Sequence, residues 1–232
     1  MSHQQPPIVA IKQRKWIVNR IWKNTYCNAD DNIYDKNRKS CSVKCKAVQL
    51  FDRFLVAANN NTIWKEKLNE SMYTLMHQVG IVCLHLAWKL EDSTTIYAYS
   101  NTKMANLEFD VLKLLNFNGL LDKTIYDFLD ELVHENKSNH FVFDVMDNYT
   151  QLVMKVALLD YKLASHLPSR LALAVFVLTH VHYHQDLPLG FKCRLDGIDI
   201  QCQLGIIMAM NDGKNEKYLE KKYLENRPSS KS

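Results

Sequence analysis

The chain has 232 residues, of which 47% are hydrophobic and 23% are charged, and its formal net charge is +4. This composition is ordinary for a globular protein, so it excludes wholesale disorder, and the mixed charges exclude a dense basic stripe for binding phosphates. Only 6 glycines and 5 prolines are present, which favours long helices over a fold with many turns.

Targeting signals are lacking in the sequence. No apolar run approaches the roughly 18–20 residues that span a bilayer, and residues 1–9 lack the apolar core of a secretory signal. The 6 cysteines are scattered along the chain, which is typical of reduced thiols. We therefore expect a protein of the nucleus, the cytoplasm or both.

The first half of the chain carries four helical patterns. Apolar residues recur at helical spacing over residues 13–26, 42–55, 71–90 and 101–115. Ser42 is a candidate N-cap for the second helix, and the Asn-rich residues 59–62 predict a loop after it. The broad apolar face of the third helix predicts that it is buried.

The second half repeats this organisation after a linker at 116–122 that contains Gly119. Helices are predicted over 123–134, 143–165 and 168–184, with weaker ones at 198–210 and 216–225. Pro168 suits the first turn of a helix, where its missing N–H costs nothing. No segment convincingly alternates apolar and polar residues as a β-strand does. We therefore predict an all-α fold of two helical bundles joined near Gly119.

Few residues are candidates for a catalytic or metal-binding site. His180, His182 and His184 are the best metal candidates, but they lack a nearby acidic or cysteine ligand, and a polar helix end is the favoured explanation for them. Cys41 and Cys45 are four residues apart without a second pair, which is weak for zinc. The glycines stand too far apart to form a phosphate-binding loop. We expect no catalytic site, no metal and no cofactor.

Three signatures place a charged residue on a strongly apolar helical pattern. Asp52 lies in the segment Leu-Phe-Asp-Arg-Phe-Leu, Lys89 lies in Ala-Trp-Lys-Leu-Glu-Asp, and Glu108 follows Leu107 at the edge of an apolar stripe. A buried charge persists only when it has a partner. Their order and spacing indicate a protein that binds a partner through helix ends.

At these signatures the chain resembles the cyclins, the activating subunits of cyclin-dependent protein kinases. Asp-Arg-Phe-Leu at 52–55 is the family's second-helix motif unchanged, and Arg-Lys-Trp-Ile-Val-Asn at 14–19 is similar to its first-helix motif. Segments 79–92 and 107–117 resemble its two further motifs. With Leu-Asp and Leu-Pro-Ser matches near 159–169, the resemblance spans residues 13–185.

The resemblance implies two tandem five-helix cyclin-box bundles. The first box would cover residues 13–118 and the second 119–226, with a short N-terminal arm at 1–12 and a tail at 227–232. The implied function is a regulatory subunit that binds and activates a cyclin-dependent kinase, controlling cell-cycle or transcriptional phosphorylation, without being an enzyme itself. Its partners would be that kinase and its substrates.

The family also implies roles for particular residues. Arg14 and Asp52 are expected to form a structural ion pair between the first two helices. The kinase-binding residues are expected to be the charges that hold the kinase's regulatory helix and their neighbours, namely Lys89, Leu90, Glu91, Glu108 and Phe117. The alternative is that Lys89 and Glu108 are solvated or pair only with each other, and that Glu91 caps the next segment of the chain.

The substrate-docking groove of the family is altered in this chain. Gln13 and Arg20 stand where the family has Met and Trp, so we expect a degraded groove, whose other candidate residues are Trp16, Met76 and His77. The few residues before the first helix predict that the family's extra N-terminal helix is missing. Compact size and an altered groove fit a divergent or viral member.

Two other functions compete with kinase activation. Adaptors of the transcription factor IIB type share the two-box fold and associate with nucleic acid, but the modest net charge of +4 argues against that partner. A scaffold that sequesters a kinase is the other alternative.

Overall fold

The computed structural model describes residues 8–23, 33–91, 102–117, 122–136, 148–183, 201–203 and 205–208. All regular structure within these residues is helical, so the predicted all-α fold is confirmed. The helices are α1 (Ile8–Lys23), α2 (Ile33–Asn59), α3 (Thr62–Glu91), α4 (Thr102–Leu114), α5 (Ile125–Glu135), α6 (Asn148–Leu159), α7 (Tyr161–Ala164) and α8 (Pro168–His182). Residues 201–203 and 205–208 are also helical.

Three helices of the first half begin earlier than their apolar patterns predict, and the first of them, α1, begins at Ile8 instead of residue 13. Helix α2 already begins at Ile33, so the prediction of Ser42 as its N-cap is wrong, and Ser42 instead donates from its hydroxyl to Glu91 in the protein interior. Helix α3 already begins at Thr62, and the non-helical backbone of Ser71 (φ −146°, ψ 42°) marks where its apolar pattern starts. The turns at 62–70 are largely exposed and carry no apolar stripe, so periodicity alone missed them.

The predicted helices at 123–134, 143–165 and 168–184 are present in the second half, and the structure defines their ends more closely. Thr124 and Asp127 form a capping box at the start of α5. The predicted helix over 143–165 is divided, because Asp160 caps the new helix α7 by accepting from the backbone N–H groups of Lys162 and Leu163. Pro168 lies in the first turn of α8, as predicted. Gly119 and the predicted helix at 216–225 lie outside the described residues.

The buried apolar side chains of both halves form one hydrophobic core cluster. Helix α2 packs along α3, α5 packs along α8, and α1 contacts both α3 and α6. The contact of α1 with α3 is close at Gly80, where an added Cβ would lie 2.6 Å from Ile17 Cγ2. Among the described helices, none has the length and apolarity needed to cross a membrane.

Candidate partner-binding site

Arg14 joins three helices through its guanidinium group. Its Nε donates to Asp52 Oδ1 at 2.6 Å and its Nη2 to Asp52 Oδ2 at 2.7 Å, a two-pronged ion pair between α1 and α2. Nη2 and Nη1 also donate to the backbone carbonyls of Leu158 and Leu159, at 2.8 and 3.1 Å. We call Arg14, Asp52 and these two carbonyls the brace.

The brace both satisfies carbonyl groups at the end of a helix and compensates a buried charge. The last carbonyls of a helix have no partner within the helix, and Arg14 supplies donors to two of them at the end of α6. Arg14 is 1% exposed, so the Asp52 carboxylate and these carbonyl dipoles compensate the cost of burying its charge. The expected pairing of Arg14 with Asp52 is therefore present, and it extends to the second half of the chain.

Lys89 and Glu108 form a second ion pair, between the end of α3 and the middle of α4. Lys89 Nζ lies 2.6 Å from Glu108 Oε1 and 2.9 Å from Oε2. The two side chains are 33% and 14% exposed, so the pair is partly buried and its lysine is the more accessible member. Nearby on α3, burial lowers the pKa of His85; Glu108 opposes this shift and Lys89 adds to it.

Exposed apolar side chains accompany this second pair. Leu90, Phe109 and Phe117 are 41%, 60% and 54% exposed, and the two phenylalanine rings meet edge to face with their centroids 6.5 Å apart. We call Lys89, Leu90, Glu108, Phe109 and Phe117 the rim. Large exposed apolar side chains in contact with each other, such as Phe109 and Phe117, are typical of an interaction site.

The backbone of Phe117 adds to this interpretation. Asn116 and Phe117 have positive φ values of 51° and 55°, in the left-handed region that disfavours most side chains. The N–H of Phe117 donates to the carbonyl of Leu112 at 3.1 Å, which ends α4 with a left-handed cap usually supplied by glycine. An exposed aromatic side chain therefore occupies a position where it costs stability.

Glu91 faces the protein instead of joining the rim. Its carboxylate pairs with Lys46 and accepts from Ser42 Oγ at 3.1 Å, and both of these residues lie on α2. These contacts give Glu91 a structural role at the end of α3. Asp92, the other half of the acidic pair in the sequence, lies outside the described residues.

The candidate groove residues separate into two groups. Gln13 and Met76 are buried, at 6% and 2% exposure, and so they do not form a surface. Trp16 contacts the imidazole of His77, with ring centroids 5.6 Å apart, and Arg20 lies over the Trp16 ring at 4.5 Å. Arg20 Nη1 also lies 2.9 Å from His77 Nε2.

Two side chains of these surfaces were missed by the sequence analysis. Tyr73 is 66% exposed and its ring lies 6.1 Å from that of Trp16, so Trp16, Arg20, Tyr73 and His77 form one surface that we call the aromatic patch. The four-residue spacing of Tyr73 and His77 places them on one helix face and was the available signal. Phe109 of the rim follows Glu108 directly, and its place outside the apolar stripe of α4 was the available signal.

Two of the candidate metal ligands contact other groups of the protein. His180 is buried with its Nδ1 2.8 Å from the carbonyl of Phe176, and burial lowers its pKa. His182 stacks on Tyr149 at 3.6 Å between ring centroids, and His184 lies outside the described residues. Within the described ranges, no group of three or more His, Cys, Asp or Glu side chains is placed to hold a metal.

The cysteine pair is likewise enclosed. Cys41 and Cys45 are buried. The pKa of the Cys45 thiol is raised by a hydrogen bond with Cys41 and, to a smaller extent, by burial. Burial also raises the pKa of Cys83. A raised thiol pKa disfavours the thiolate that metals and oxidants require, so these side chains pack as small apolar groups.

No protein-family model, no curated protein and no solved structure matches this chain.

Proposed function

We propose that this chain is a cyclin-like regulatory subunit that binds a cyclin-dependent protein kinase and raises its activity. The observation that carries the proposal is the rim, in which three exposed apolar side chains, at the end of α3, on α4 and just after α4, accompany the Lys89–Glu108 ion pair. This combination fits a partner helix that presents its own charges together with an apolar stripe.

The kinase would be activated by a shift in its population of conformations. The rim would bind the active arrangement, in which the kinase's regulatory helix completes its Lys–Glu pair. A near-complete shift requires about 5 kcal/mol of preference for the active state. Covering the half-exposed Leu90, Phe109 and Phe117 contributes roughly 2–4 kcal/mol of this, so further apolar contact around the rim is part of the proposal.

The brace supports the architecture that belongs to this function. We propose that residues 13–118 and 119–226 form two tandem five-helix cyclin boxes. A first-helix arginine that binds Asp52 and the last carbonyls of α6 fixes the two halves against each other. The rim would then be presented on a rigid support, and a rigid surface loses less conformational entropy on binding.

The protein itself would perform no chemistry and would require no cofactor. It would act in the nucleus or the cytoplasm, where its kinase and the kinase's substrates are found. Its structural thiols, held in the core with raised pKa values, are compatible with such a reducing compartment.

The test is co-purification of the tagged chain with a panel of cyclin-dependent kinases, followed by phosphorylation of a peptide substrate. The key variant exchanges the two rim charges, Lys89→Glu with Glu108→Lys. The exchange keeps an ion pair within the protein but reverses the charges presented to the partner, so kinase recovery should fall at least about tenfold.

The matched control exchanges another exposed ion pair, Lys123→Glu with Glu131→Lys, whose side chains are 54% and 49% exposed. It should leave kinase recovery unchanged. Recovery of no kinase by the native chain, or full recovery by the Lys89/Glu108 exchange, would contradict the proposal. Recovery of a kinase whose activity falls on binding would identify a sequestering scaffold instead.

A further inference from the structure

A cleft of about 420 Å³ lies between the two halves of the chain. One wall is a single face of α2, from Cys45 to Ala57, and the opposite wall is built from the start of α5, the end of α6, α7 and the start of α8. Its volume falls within the range of about 300–1,000 Å³ that is typical of sites for small molecules. The cleft therefore has room for a compact ligand that contacts both halves of the chain.

Most of the lining of this cleft is apolar. Val48, Ile125 and Leu158 are buried there, whereas Val56 is 58% exposed and marks the side that is open to solvent. An apolar ligand that displaces water from such walls is stabilised by the hydrophobic effect.

The carboxylate of the brace is the polar group of the cleft that suits a ligand best. Asp52 lines the cleft and its side chain is 26% exposed, whereas Arg14 is 1% exposed. Each oxygen of Asp52 accepts one hydrogen bond from Arg14, and a carboxylate oxygen has two lone pairs. Asp52 can therefore accept a further hydrogen bond from a donor inside the cleft.

Other polar groups of the lining are already engaged within the protein. Arg53 pairs with Asp122, and Thr124 belongs to the capping box of α5. Ser165 donates from its hydroxyl to the carbonyl of Lys162 at 2.6 Å. The walls are mainly helical, so most of their backbone groups bond within the helices. A peptide would thus find few partners here for its own backbone groups, whereas a small molecule without amides has no such need.

The charges around the cleft favour a neutral ligand. Arg14 compensates the charge of Asp52, and Asp122 compensates that of Arg53. A ligand that carries a carboxylate would meet the Asp52 carboxylate, and repulsion between like charges rejects such a molecule.

We propose that this cleft is a binding site for a neutral, mostly apolar small molecule that carries one hydrogen-bond donor. The apolar body of the ligand packs between Val56 on α2 and Ala164 on α7, and its donor bonds to the carboxylate of Asp52. This site lies apart from the rim, and the proposal does not depend on kinase binding.

The test uses pyrenemethanol as a fluorescent probe, held at low concentration while the full chain is added. The emission of its ring system changes when the rings leave water, and we expect a Kd below roughly 100 µM. The methyl ether of the probe keeps the rings but cannot donate, and pyrenecarboxylate carries a negative charge in place of the donor. Each should bind at least about fivefold more weakly.

The variants locate the site. Val56→Asp places a charge on the apolar wall and should weaken binding of pyrenemethanol about tenfold or more, and Val56 is exposed enough for the change to leave folding intact. Ile63→Asp is the matched control, because Ile63 is also a β-branched residue of a helix, is 61% exposed and does not line the cleft. It should bind the probe normally, and so should the Lys89/Glu108 exchange.

A second variant fills the cleft from the opposite wall. Ala164→Phe places a ring in the space that the ligand would occupy and should also weaken binding about tenfold. Circular dichroism checks that its helix content is unchanged. If this variant does not fold, the comparison of Val56→Asp with Ile63→Asp decides the location.

Four results would overturn the proposal. They are a Kd for pyrenemethanol above roughly 1 mM, equal or tighter binding of the methyl ether or of pyrenecarboxylate, equal effects of Val56→Asp and Ile63→Asp, and normal binding by a folded Ala164→Phe variant. The last result would place the probe on the surface of α2 outside the cleft.

Discussion

The brace and the rim each contain an ion pair between two helices, but the two pairs have different surroundings. Arg14 is 1% exposed and its hydrogen bonds end on Asp52 and two backbone carbonyls, whereas Lys89 is 33% exposed and lies among apolar side chains that water still reaches. Burial turns the first ion pair into a structural tie between helices. Exposure leaves the second available to a partner. The surroundings of a charge, more than its identity, assign its role.

The largest effect is expected from Arg14→Met. The variant leaves the carboxylate of Asp52 and the carbonyls of Leu158 and Leu159 without their donor, and loss of one member of a buried pair costs about 3–5 kcal/mol. Urea unfolding followed by circular dichroism measures the loss.

The control for this variant is Arg53→Met. Arg53 adjoins Asp52 in sequence but pairs with Asp122 at the surface, where the side chains are 32% and 63% exposed. Its replacement should change the free energy of unfolding by less than about 1 kcal/mol. Equal losses of unfolding free energy in the two variants would show that the brace contributes no more to stability than a surface ion pair.

Gly80→Ala tests whether packing also fixes α1. The new methyl group would lie 2.6 Å from Ile17 Cγ2, which is close to the backbone on a branched side chain and cannot swing away, so we expect a loss of about 1–3 kcal/mol in unfolding free energy. The brace would remain intact in this variant.

A double variant checks the cause. Gly80→Ala with Ile17→Ala removes the clash, so its loss should be smaller than the sum of the two single losses. Strict additivity would mean that the close approach of α1 and α3 is not what makes Gly80 necessary.

Phe117→Gly tests whether the rim is maintained at a cost in stability. Glycine adopts the positive φ of this position without strain, so the unfolding free energy should rise by about 0.5–1 kcal/mol while kinase recovery falls. Thermal unfolding and co-purification measure the two effects.

Phe109→Ala is its counterpart on regular helix. It should reduce kinase recovery with a stability change within about 0.5 kcal/mol, because Phe109 is 60% exposed and its backbone is helical. A stability gain in both variants would show that exposure, and not backbone strain, explains the effect.

The smallest expected effect is a change of stability with pH, which we attribute to a histidine of the core. Burial lowers the pKa of His180, so the unfolded chain binds a proton there before the folded one does. Stability should therefore be lost as the pH falls below about 6.5. We expect the midpoint of thermal unfolding to drop between about pH 7.5 and 5.5.

His180→Gln should show a smaller drop over that range, because the titrating group is gone. His77 and His85 also have lowered pKa values and will retain part of the effect. An unchanged drop in the variant would mean that His180 does not contribute to the acid sensitivity.

Most of the helical architecture could be predicted from local patterns. Scarce glycine and proline and the apolar stripes indicated an all-α chain, and Pro168 was placed correctly in a first turn. The errors at Ser42 and residues 62–70 arose where a helix has no apolar stripe to reveal it. Periodicity reports which face of a helix is buried, so an exposed turn leaves no signal.

The roles of the charged residues depended on distances between helices. The motif at Asp52 suggested a partner in Arg14, but only the packing of α1 against α6 brought that arginine to the carbonyls of Leu158 and Leu159, more than a hundred residues away. Likewise the pairing of Lys89 with Glu108 and the meeting of Trp16 with Tyr73 required α3 to lie against α4 and α1. Helix periodicity is a local property, whereas the choice between an internal tie and an exposed contact is made by what packs around each charge.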